Sequence, residues 1–307
     1  MKQAALPWEI VLTFRPKNAD RPDSDQTLRV SASPLVFHPI HTLLFTLFAI
    51  LATGAVLYAA LMAALYVNQE GLLFFPQPLA PDARLTRETD VQELTLQVPG
   101  ATLSALHLKR PGAKGLVFFL HGNAGNLTSW FTESDLYRAT GYDVFMIDYR
   151  GYGKSTGRVS SEAQLRADVR AAWDHIAPQY AGRHRVIYGR SLGTALAAGL
   201  AADVQPELTI LVSPYSSMQA MARENYRFVP GVLVRYPLRT EDDAARIRGP
   251  LLLVHADADA LIGLHHSQAI LARAPHAQLV TLRGAGHGDL HGFADYDRTL
   301  RTALSAL

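Results

Sequence analysis

RVIYGRSLGTALAAGLAAD, residues 185–203, carries the clearest structural pattern in the sequence. Residues 186–188 form a short apolar run of β-forming side chains, which is typical of a buried parallel strand. Residues 194–202 are rich in Ala and Leu and predict a helix. Between them, residues 189–193 match the pattern G-x-S-x-G. A strand, this turn and a helix together predict a serine at the carboxyl edge of a β-sheet.

Ser191 is the candidate nucleophile in this turn. Gly189 and Gly193 carry no Cβ, which lets the backbone turn tightly on either side of the serine. The amide of Leu192 then lies at the helix start, where its N–H can stabilise an oxyanion. A small-residue turn that only packs a helix on a sheet would give the same pattern. The assignment therefore needs support from the rest of the chain.

Composition excludes several classes of protein and site. The 307 residues carry a formal net charge of +2 with scattered basic residues, which argues against a nucleic-acid partner. The absence of cysteine excludes disulfides, thiolate zinc sites and a cysteine nucleophile. No H-E-x-x-H pattern occurs, and the P-loop-like Gly153-Lys154-Ser155 has Asp148 where such a loop needs glycine. We therefore expect neither a metal nor a cofactor.

An uncharged apolar run, residues 43–67, precedes the globular part of the chain. It exceeds the ~20 residues that a helix needs to cross a bilayer, and it is longer than the apolar region of a signal peptide. The run predicts a transmembrane anchor over residues 35–70. An N-terminal tail, residues 1–34, would precede it, and one catalytic domain, residues 71–307, would follow.

Basic residues are distributed asymmetrically about the apolar run. No Lys or Arg occurs after it until Arg84, whereas five precede it: Lys2, Arg15, Lys17, Arg21 and Arg29. Short flanking segments rich in Lys and Arg stay on the cytoplasmic side of a membrane. The sequence therefore predicts a single-pass protein with a cytoplasmic N-terminus and an extracytoplasmic catalytic domain.

The catalytic domain alternates between strand and helix patterns. Strands 91–98 and 103–109 alternate around Pro99-Gly100 and predict a hairpin. Further strands are predicted at 115–120, 143–147, 208–212, 251–255 and 279–282, with helices at 127–139, 162–176, 264–274 and 291–307. This order predicts an α/β fold with a mostly parallel, doubly wound sheet and an antiparallel start. Ligand chemistry in such a sheet lies at the carboxyl ends of the strands.

One crossover, residues 213–250, is longer than the others. One interpretation is an ordinary crossover helix with a loop. The other is a small cap, about residues 214–249, whose apolar side chains contact an acyl chain. In the second case Tyr215, Met218 and Met221 are the candidate substrate-binding residues. The sequence leaves both interpretations open.

A reactive serine needs a base, and the base needs a group that orients it. In this type of sheet the chain order is Ser, then Asp or Glu, then His. His287 follows the last strand between small residues and is the candidate base. Asp259 and Asp257 both follow strand 251–255. We favour Asp259 because it lies further from the strand end, where a carboxylate can turn toward the imidazole, and Asp257 is the alternative.

A second oxyanion donor is expected from the loop after strand 115–120. His121-Gly122-Asn123 stands there, and the glycine permits close approach of the backbone. The amide of Asn123 would then point toward the oxyanion beside that of Leu192. A plain strand-to-helix turn has the same composition and is the alternative interpretation.

Seven stretches of the sequence together resemble the N-terminally membrane-anchored α/β-hydrolases with a minimal cap. They are NQEGLLFFP, FFLHGNAGN, DYRGYGKSTG, YGRSLGTALA, SPYSSM, LLLVHADADALI and GAGHGDL. The resemblance implies an α/β-hydrolase fold with a Ser191–Asp259–His287 triad and an oxyanion hole from Asn123 and Leu192. Ala256 departs from the family, where glycine usually follows the histidine at the strand end.

These observations predict a membrane-anchored serine hydrolase that cleaves carboxylic esters, acyl or thio, through an acyl-enzyme. The expected partners are a small-molecule or lipid-like ester and the membrane. A serine peptidase or amidase using the same triad is one alternative. A catalytically silent, membrane-anchored binding module is another.

Overall fold

The computed structural model describes residues 39–307, so the predicted tail, residues 1–34, lies outside the described residues. The described residues divide into two compact units, with the boundary between Leu61 and Met62. Helix α1, Pro39–Val67, crosses the boundary between the units.

Helix α1 contains the whole of the predicted apolar run. Within its 28 residues Ile40–Val67, an 18-residue window has a mean hydropathy of 2.2, and the whole segment includes no Asp, Glu, Lys or Arg. A helix of this length extends about 42 Å at ~1.5 Å per residue, more than the ~30 Å of a bilayer core. By length and composition it is the one helix within residues 39–307 that can cross a membrane.

The second unit is built on one eight-stranded sheet. In chain order the strands are β1 Val91–Val98, β2 Ala101–Leu108, β3 Gly115–Leu120, β4 Tyr142–Ile147, β5 His184–Arg190, β6 Leu208–Val212, β7 Leu251–Ala256 and β8 Gln278–Leu282. Their order in the sheet is β1-β2-β4-β3-β5-β6-β7-β8. The β1–β2 and β2–β4 pairs are antiparallel, and the other pairs are parallel. The predicted fold class, with its antiparallel hairpin start, is confirmed.

The helices of this unit precede, connect or follow the strands. They are α2 Gln69–Leu73, α3 Leu127–Trp130, α4 Ser134–Thr140, α5 Glu162–Ile176, α6 Gly193–Val204, α7 Met218–Asn225, α8 Thr240–Ala244, α9 His265–Arg273 and α10 Ala294–Ser305. The helix predicted over 127–139 is two helices, because Phe131 leaves the helical region with ψ 63°. The last helix begins at Ala294, after a 3-10 turn, rather than at His291.

The core lies on both faces of the sheet. Alternate residues of β3 enter different clusters: Leu116 and Phe118 pack with α5 and α6, whereas Val117 and Phe119 pack with α4 and α10. A strand that is buried on both faces has no polar side, which explains the unbroken apolar run GLVFFL. With helices on both faces, the carboxyl edge of the parallel strands is left for the site.

The long crossover between β6 and β7 contains α7, a 3-10 turn at Gly231–Leu233, and α8. Several of its apolar side chains are exposed, with Tyr226 57%, Phe228 52% and Val232 87% accessible. Its designation as a cap over residues 214–249 stays a prediction.

Candidate active site

Ser191 lies at the end of β5 with a φ of 48°. Side chains with a Cβ rarely adopt this left-handed conformation, and its cost is met by the surrounding contacts. The Ser191 amide donates to the Val212 carbonyl at 2.9 Å, and its own carbonyl accepts from the Thr194 amide at 3.0 Å and the Thr194 hydroxyl at 2.6 Å. The turn is therefore held from β6 on one side and from α6 on the other.

Gly189 and Gly193 allow α6 to lie directly on the sheet. A Cβ at Gly189 would come within 2.6 Å of Ala197 Cβ, and one at Gly193 within 2.1 Å of the Leu120 carbonyl oxygen. Contacts this short do not occur in folded proteins, so larger residues would move the helix. At both positions the missing Cβ lets the backbone pack closely against its neighbour. Gly193 in this way brings the start of α6 against the end of β3.

His287 lies between Ser191 and Asp259. Its Nε2 is 3.1 Å from Ser191 Oγ, and its Nδ1 is 2.7 Å from Asp259 Oδ2. Because a carboxylate only accepts, Nδ1 carries a proton that it donates to Asp259, which leaves the Nε2 lone pair toward the serine. The structure brings together the three residues that chain order had selected.

The carboxylate of Asp259 is enclosed, with its side chain 0% exposed. Its Oδ1 accepts from the amides of Leu261, at 3.0 Å, and Ile262, at 2.8 Å. Burial by itself would raise the pKa of Asp259, but the hydrogen bonds from His287 and from these amides outweigh it, so the pKa is lowered. The carboxyl group is thus ionised at neutral pH.

His255, inside β7, lies behind the acid. Its Nε2 donates to the Ile262 carbonyl at 2.7 Å, and its Nδ1 accepts from the Ser267 hydroxyl at 2.7 Å. Burial lowers the pKa of His255, although its Nε2 is 3.7 Å from Asp259 Oδ2. The neutral ring packs against the acid without forming a competing charged pair.

Asp257, the alternative acid, occupies a different position. Its Oδ1 accepts from the Gly284 amide at 2.7 Å, in the loop that carries His287. Gly284 has a φ of 75°, so this bond holds a left-handed turn. The geometry therefore couples Asp257 to the shape of the histidine loop and Asp259 to the imidazole.

Arg190, which the sequence analysis did not select, also reaches the histidine. It is 2% exposed, and its Nη2 donates to the His287 carbonyl while its Nη1 lies 3.4 Å from Ser213 Oγ. A charged residue at the buried carboxyl end of the strand was the available signal. Arg190 thus connects the strand that carries the serine to the loop that carries the base.

The two predicted oxyanion residues lie on neighbouring loops. Leu192 is the N-cap residue of α6, whose first amides have no partner within the helix. Asn123 follows β3, which pairs with β5 through Leu120 and Gly189. The Asn123 side chain accepts from the Phe75 amide at 3.0 Å and donates to the Leu73 carbonyl at 2.7 Å. Its backbone amide is thereby positioned from outside the sheet.

The segment after α1 is a second feature whose role in the site the sequence did not predict, although its residues NQEGLLFFP carry part of the family resemblance. Gln69 donates to the Leu233 carbonyl at 2.6 Å, and its Oε1 accepts from the Arg235 amide at 2.8 Å. Glu70 accepts from the Tyr236 hydroxyl at 2.7 Å and pairs with Arg235 at 2.8 Å. Helix α2 therefore joins the long crossover to the Asn123 loop.

The predicted substrate contacts differ in exposure. Tyr215 is 2% exposed, and its hydroxyl lies 3.3 Å from the Leu192 carbonyl, so it supports the start of α6. Met218 and Met221, on α7, are partly exposed and pack against the core. Substrate contact by these three residues stays a prediction.

Two further features of the structure resemble binding sites. A cavity of about 580 Å³ is lined by residues that include Phe74, Tyr152 and Arg235, and its walls contain no triad residue. Within residues 39–307, one group of side chains has the spacing of metal ligands: Glu224, His265 and His266.

Comparisons with known sequences agree with the fold. A family described as "Serine aminopeptidase, S33" matches residues 111–238. Alpha/beta hydrolase domain-containing protein 17B of Xenopus tropicalis is 31% identical over 231 residues, which cover 70% of this chain and 76% of the relative. Its Homo sapiens counterpart is 30% identical over 235 residues, covering 72% of this chain and 77% of that protein.

Solved structures share the fold at lower identity. An esterase of Pyrococcus furiosus, Pf2001, superposes with a TM-score of 0.60 at 17% identity, covering 76% of this chain and 97% of its own. Est1E of Butyrivibrio proteoclasticus, solved with ferulic acid, gives 0.56 at 20% identity, covering 69% of this chain and 96% of its own. With the sheet order and the relatives at 30–31% identity, these findings establish that the chain belongs to the α/β-hydrolase superfamily and is a serine hydrolase.

Proposed function

We propose that this chain is a membrane-tethered serine hydrolase that cleaves acyl esters and thioesters through an acyl-enzyme. The observation that carries the proposal is the hydrogen-bonded series from Ser191 Oγ to His287 at 3.1 Å and on to Asp259 at 2.7 Å. It starts from a serine whose φ of 48° matches the strained turn of a nucleophile.

In the acylation step, His287 Nε2 takes the Ser191 hydroxyl proton as Oγ attacks the carbonyl carbon of the ester. The amides of Leu192 and Asn123 donate to the resulting oxyanion. His287 then gives the proton to the leaving oxygen or sulfur, the carbon–heteroatom bond breaks, and the alcohol or thiol departs. Asp259 stays ionised and holds the imidazolium, which its lowered pKa supports.

In the deacylation step, water takes the place of the leaving group. His287 Nε2 accepts a proton from the water, whose oxygen attacks the acyl carbonyl. The same amides hold the second oxyanion. The Ser191–acyl bond then breaks with the proton returned to Oγ, which releases a carboxylic acid and regenerates the enzyme.

The apolar character of the long crossover supports the proposed substrate class. Met218 and Met221 place partly exposed apolar side chains on α7, and further apolar groups are exposed along the same crossover. Such side chains suit an acyl chain better than a charged substrate. Helix α1 would hold the enzyme beside a membrane, where lipid-like esters are concentrated.

The proposed topology places the N-terminus in the cytoplasm and the catalytic domain outside it. Five basic residues precede α1, and none follows before Arg84. A reporter fused after Leu307 that is active only outside the cytoplasm should be active. Activity of a cytoplasm-dependent reporter at the same position would reverse the topology.

A serine peptidase or amidase is the second candidate, favoured by the family description that matches residues 111–238. A peptide amine would need an available acidic group. In the acidic run of α8, however, Asp242 pairs with Arg273 at 3.0 Å and Asp243 with Arg166 at 2.9 Å. These carboxylates are engaged within the domain, which favours the ester hydrolase.

A fluorophosphonate probe tests the proposal on the full chain in detergent. Wild type should be labelled, and Ser191→Ala and His287→Ala should not. Unlabelled wild type is then offered 4-nitrophenyl esters of increasing acyl length beside aminoacyl 4-nitroanilides. Faster turnover of the longer esters supports the proposal, and faster turnover of the anilides supports the peptidase.

A folded wild type that resists the probe would contradict both enzymatic candidates. It would instead support a catalytically silent, membrane-anchored binding module. Circular dichroism of wild type and both variants separates that outcome from loss of folding.

A further inference from the structure

A cluster of ionisable side chains outside the triad lies where α7 meets α9. Glu224 is in the last turn of α7, and His265 and His266 are the first two residues of α9. One ligand atom from each residue can be chosen so that all three lie within 4.8 Å of one another. Neither the proposed reaction nor the packing of the core uses this arrangement.

Both imidazoles direct Nε2 toward the same carboxylate. His265 Nε2 is 3.0 Å from Glu224 Oε1, and His266 Nε2 is 3.2 Å from Glu224 Oε2. His266 is 1% exposed, and its Nε2 makes no hydrogen bond of acceptable geometry. A buried ring nitrogen without a proper partner is costly, and a cation between the three side chains would satisfy it.

We propose that Glu224, His265 and His266 form a zinc-binding site that joins α7 to α9. Two imidazole nitrogens and one carboxylate are a ligand set that Zn²⁺ takes in proteins, with a water in the fourth position. Zinc–ligand distances of ~2.0–2.1 Å place tetrahedral ligand atoms about 3.3 Å apart. The carboxylate oxygens, at 3.0 and 3.2 Å from the two Nε2 atoms, must therefore move slightly away from the imidazoles. Glu224 and His265 are exposed and can supply that movement by a change of rotamer.

Ser216 lies at the other ring nitrogen of His266. The His266 Nδ1 accepts from the Ser216 amide at 3.3 Å and lies 3.0 Å from the Ser216 hydroxyl. Metal binding at Nε2 requires a change of tautomer, in which Nδ1 takes the proton and donates it to the Ser216 hydroxyl in place of accepting from the amide. A hydrogen bond of this kind commonly fixes the ring of a metal-bound histidine.

Space for His265 comes from Gly263. A Cβ at position 263 would lie 2.6 Å from two atoms of the His265 ring, Nδ1 and Cε1. The glycine therefore lets the His265 ring lie beside that of His266, with ring centroids 4.3 Å apart. The two rings form one side of the site and Glu224 forms the other.

Sequence patterns do not reveal this site, because its residues are not in a local motif. Glu224 and His265 are 41 positions apart and belong to different helices. An adjacent pair of histidines has no particular metal-binding spacing by itself. Only the packing of α7 against α9 brings the carboxylate to the imidazoles.

Zinc binding can be measured on the full chain in detergent, without a histidine tag and after treatment with EDTA. Isothermal titration with ZnCl₂ should give one equivalent per chain for wild type. His265→Ala and Glu224→Gln should weaken binding at least tenfold. His291→Ala is the matched control, because it removes a histidine that pairs with another glutamate, Glu133, at 2.7 Å.

Because His265 and Glu224 are exposed, we expect their substitution to leave the fold intact. Zn²⁺ should also slow tryptic cleavage at Arg223 and Arg227, which are exposed at the end of α7 and just beyond it. That protection should occur in wild type and His291→Ala and be absent in His265→Ala. Wild-type binding that persists in both ligand variants, or zinc that gives no protection, would overturn the proposal.

Discussion

Replacing Arg190 by methionine tests whether the residue before the serine positions the base. The guanidinium is buried and donates to the main-chain carbonyl of His287. Methionine retains an apolar stem of similar length and removes only the donors. The substitution does not replace Ser191, His287 or Asp259, so any loss of reactivity arises from a change in their alignment.

The expected size follows from the contact that is lost. A hydrogen bond from a charged donor contributes about 1.5–3 kcal/mol, which corresponds to a fall in Tm of roughly 3–12 °C for a domain of this size. A displacement of a catalytic group by ~1 Å can reduce a rate about 100-fold. We therefore expect the fluorophosphonate labelling rate of Arg190→Met to fall about 10- to 100-fold at a temperature where the variant is folded.

The assay is the second-order labelling rate, measured beside kcat and KM for the best ester. Arg170→Met is the control, because Arg170 pairs only with Asp174 on the exposed face of α5. Arg190→Lys should recover part of the rate through a single donor. If Arg190→Met loses stability but is labelled within about twofold of wild type, the argument that Arg190 positions His287 is wrong.

Four further variants test other parts of the site. Asp259→Asn should reduce kcat by about 10⁴-fold and Asp257→Asn by far less. Folding lowers the pKa of Asp259, so its ionised carboxylate stabilises the fold above pH ~4. This stabilisation is lost as pH falls further. In acid denaturation, the Asp259→Asn variant should not show this part of the pH dependence. Gly193→Ala should yield little folded enzyme on expression, since its Cβ would lie 2.1 Å from the Leu120 carbonyl oxygen. Asn123→Ala should reduce kcat with little change in KM, measured with the best ester, because the oxyanion loop loses its bonds to residues 73 and 75.

The sheet was largely predictable because a buried parallel strand has one local signal, an apolar run. Strand β3 and strand β6 begin and end where their runs begin and end. The candidate triad could be proposed for a related reason: parallel strands place their following loops at one edge, so chain order narrows the candidates for the base and the acid. The break at Phe131 was missed because helical composition continues through it, while packing on the core decides the backbone.

The contacts that sequence reasoning missed are all between distant parts of the chain. Arg190 reaches a carbonyl 97 positions away, and Gln69 bonds a carbonyl 164 positions away. Neither residue occurs in a sequence pattern that indicates a role in the site, because an arginine near a strand end and a glutamine in a short helix are common. Such bonds become visible only when the loops at the carboxyl edge are assembled in three dimensions.

Residues 69–79, which follow the apolar helix directly, are part of the architecture of the site. Leu73 and Phe75 bond the Asn123 side chain, and Gln77 bonds Gly125 in the same loop, amide to carbonyl, at 3.2 Å. Glu70 meanwhile pairs with Arg235 of the long crossover. One short segment thus touches both the loop that would hold the oxyanion and the crossover that would contact the acyl chain. The residues after α1 do more than connect the apolar helix to the sheet, because the position of Asn123 depends on them.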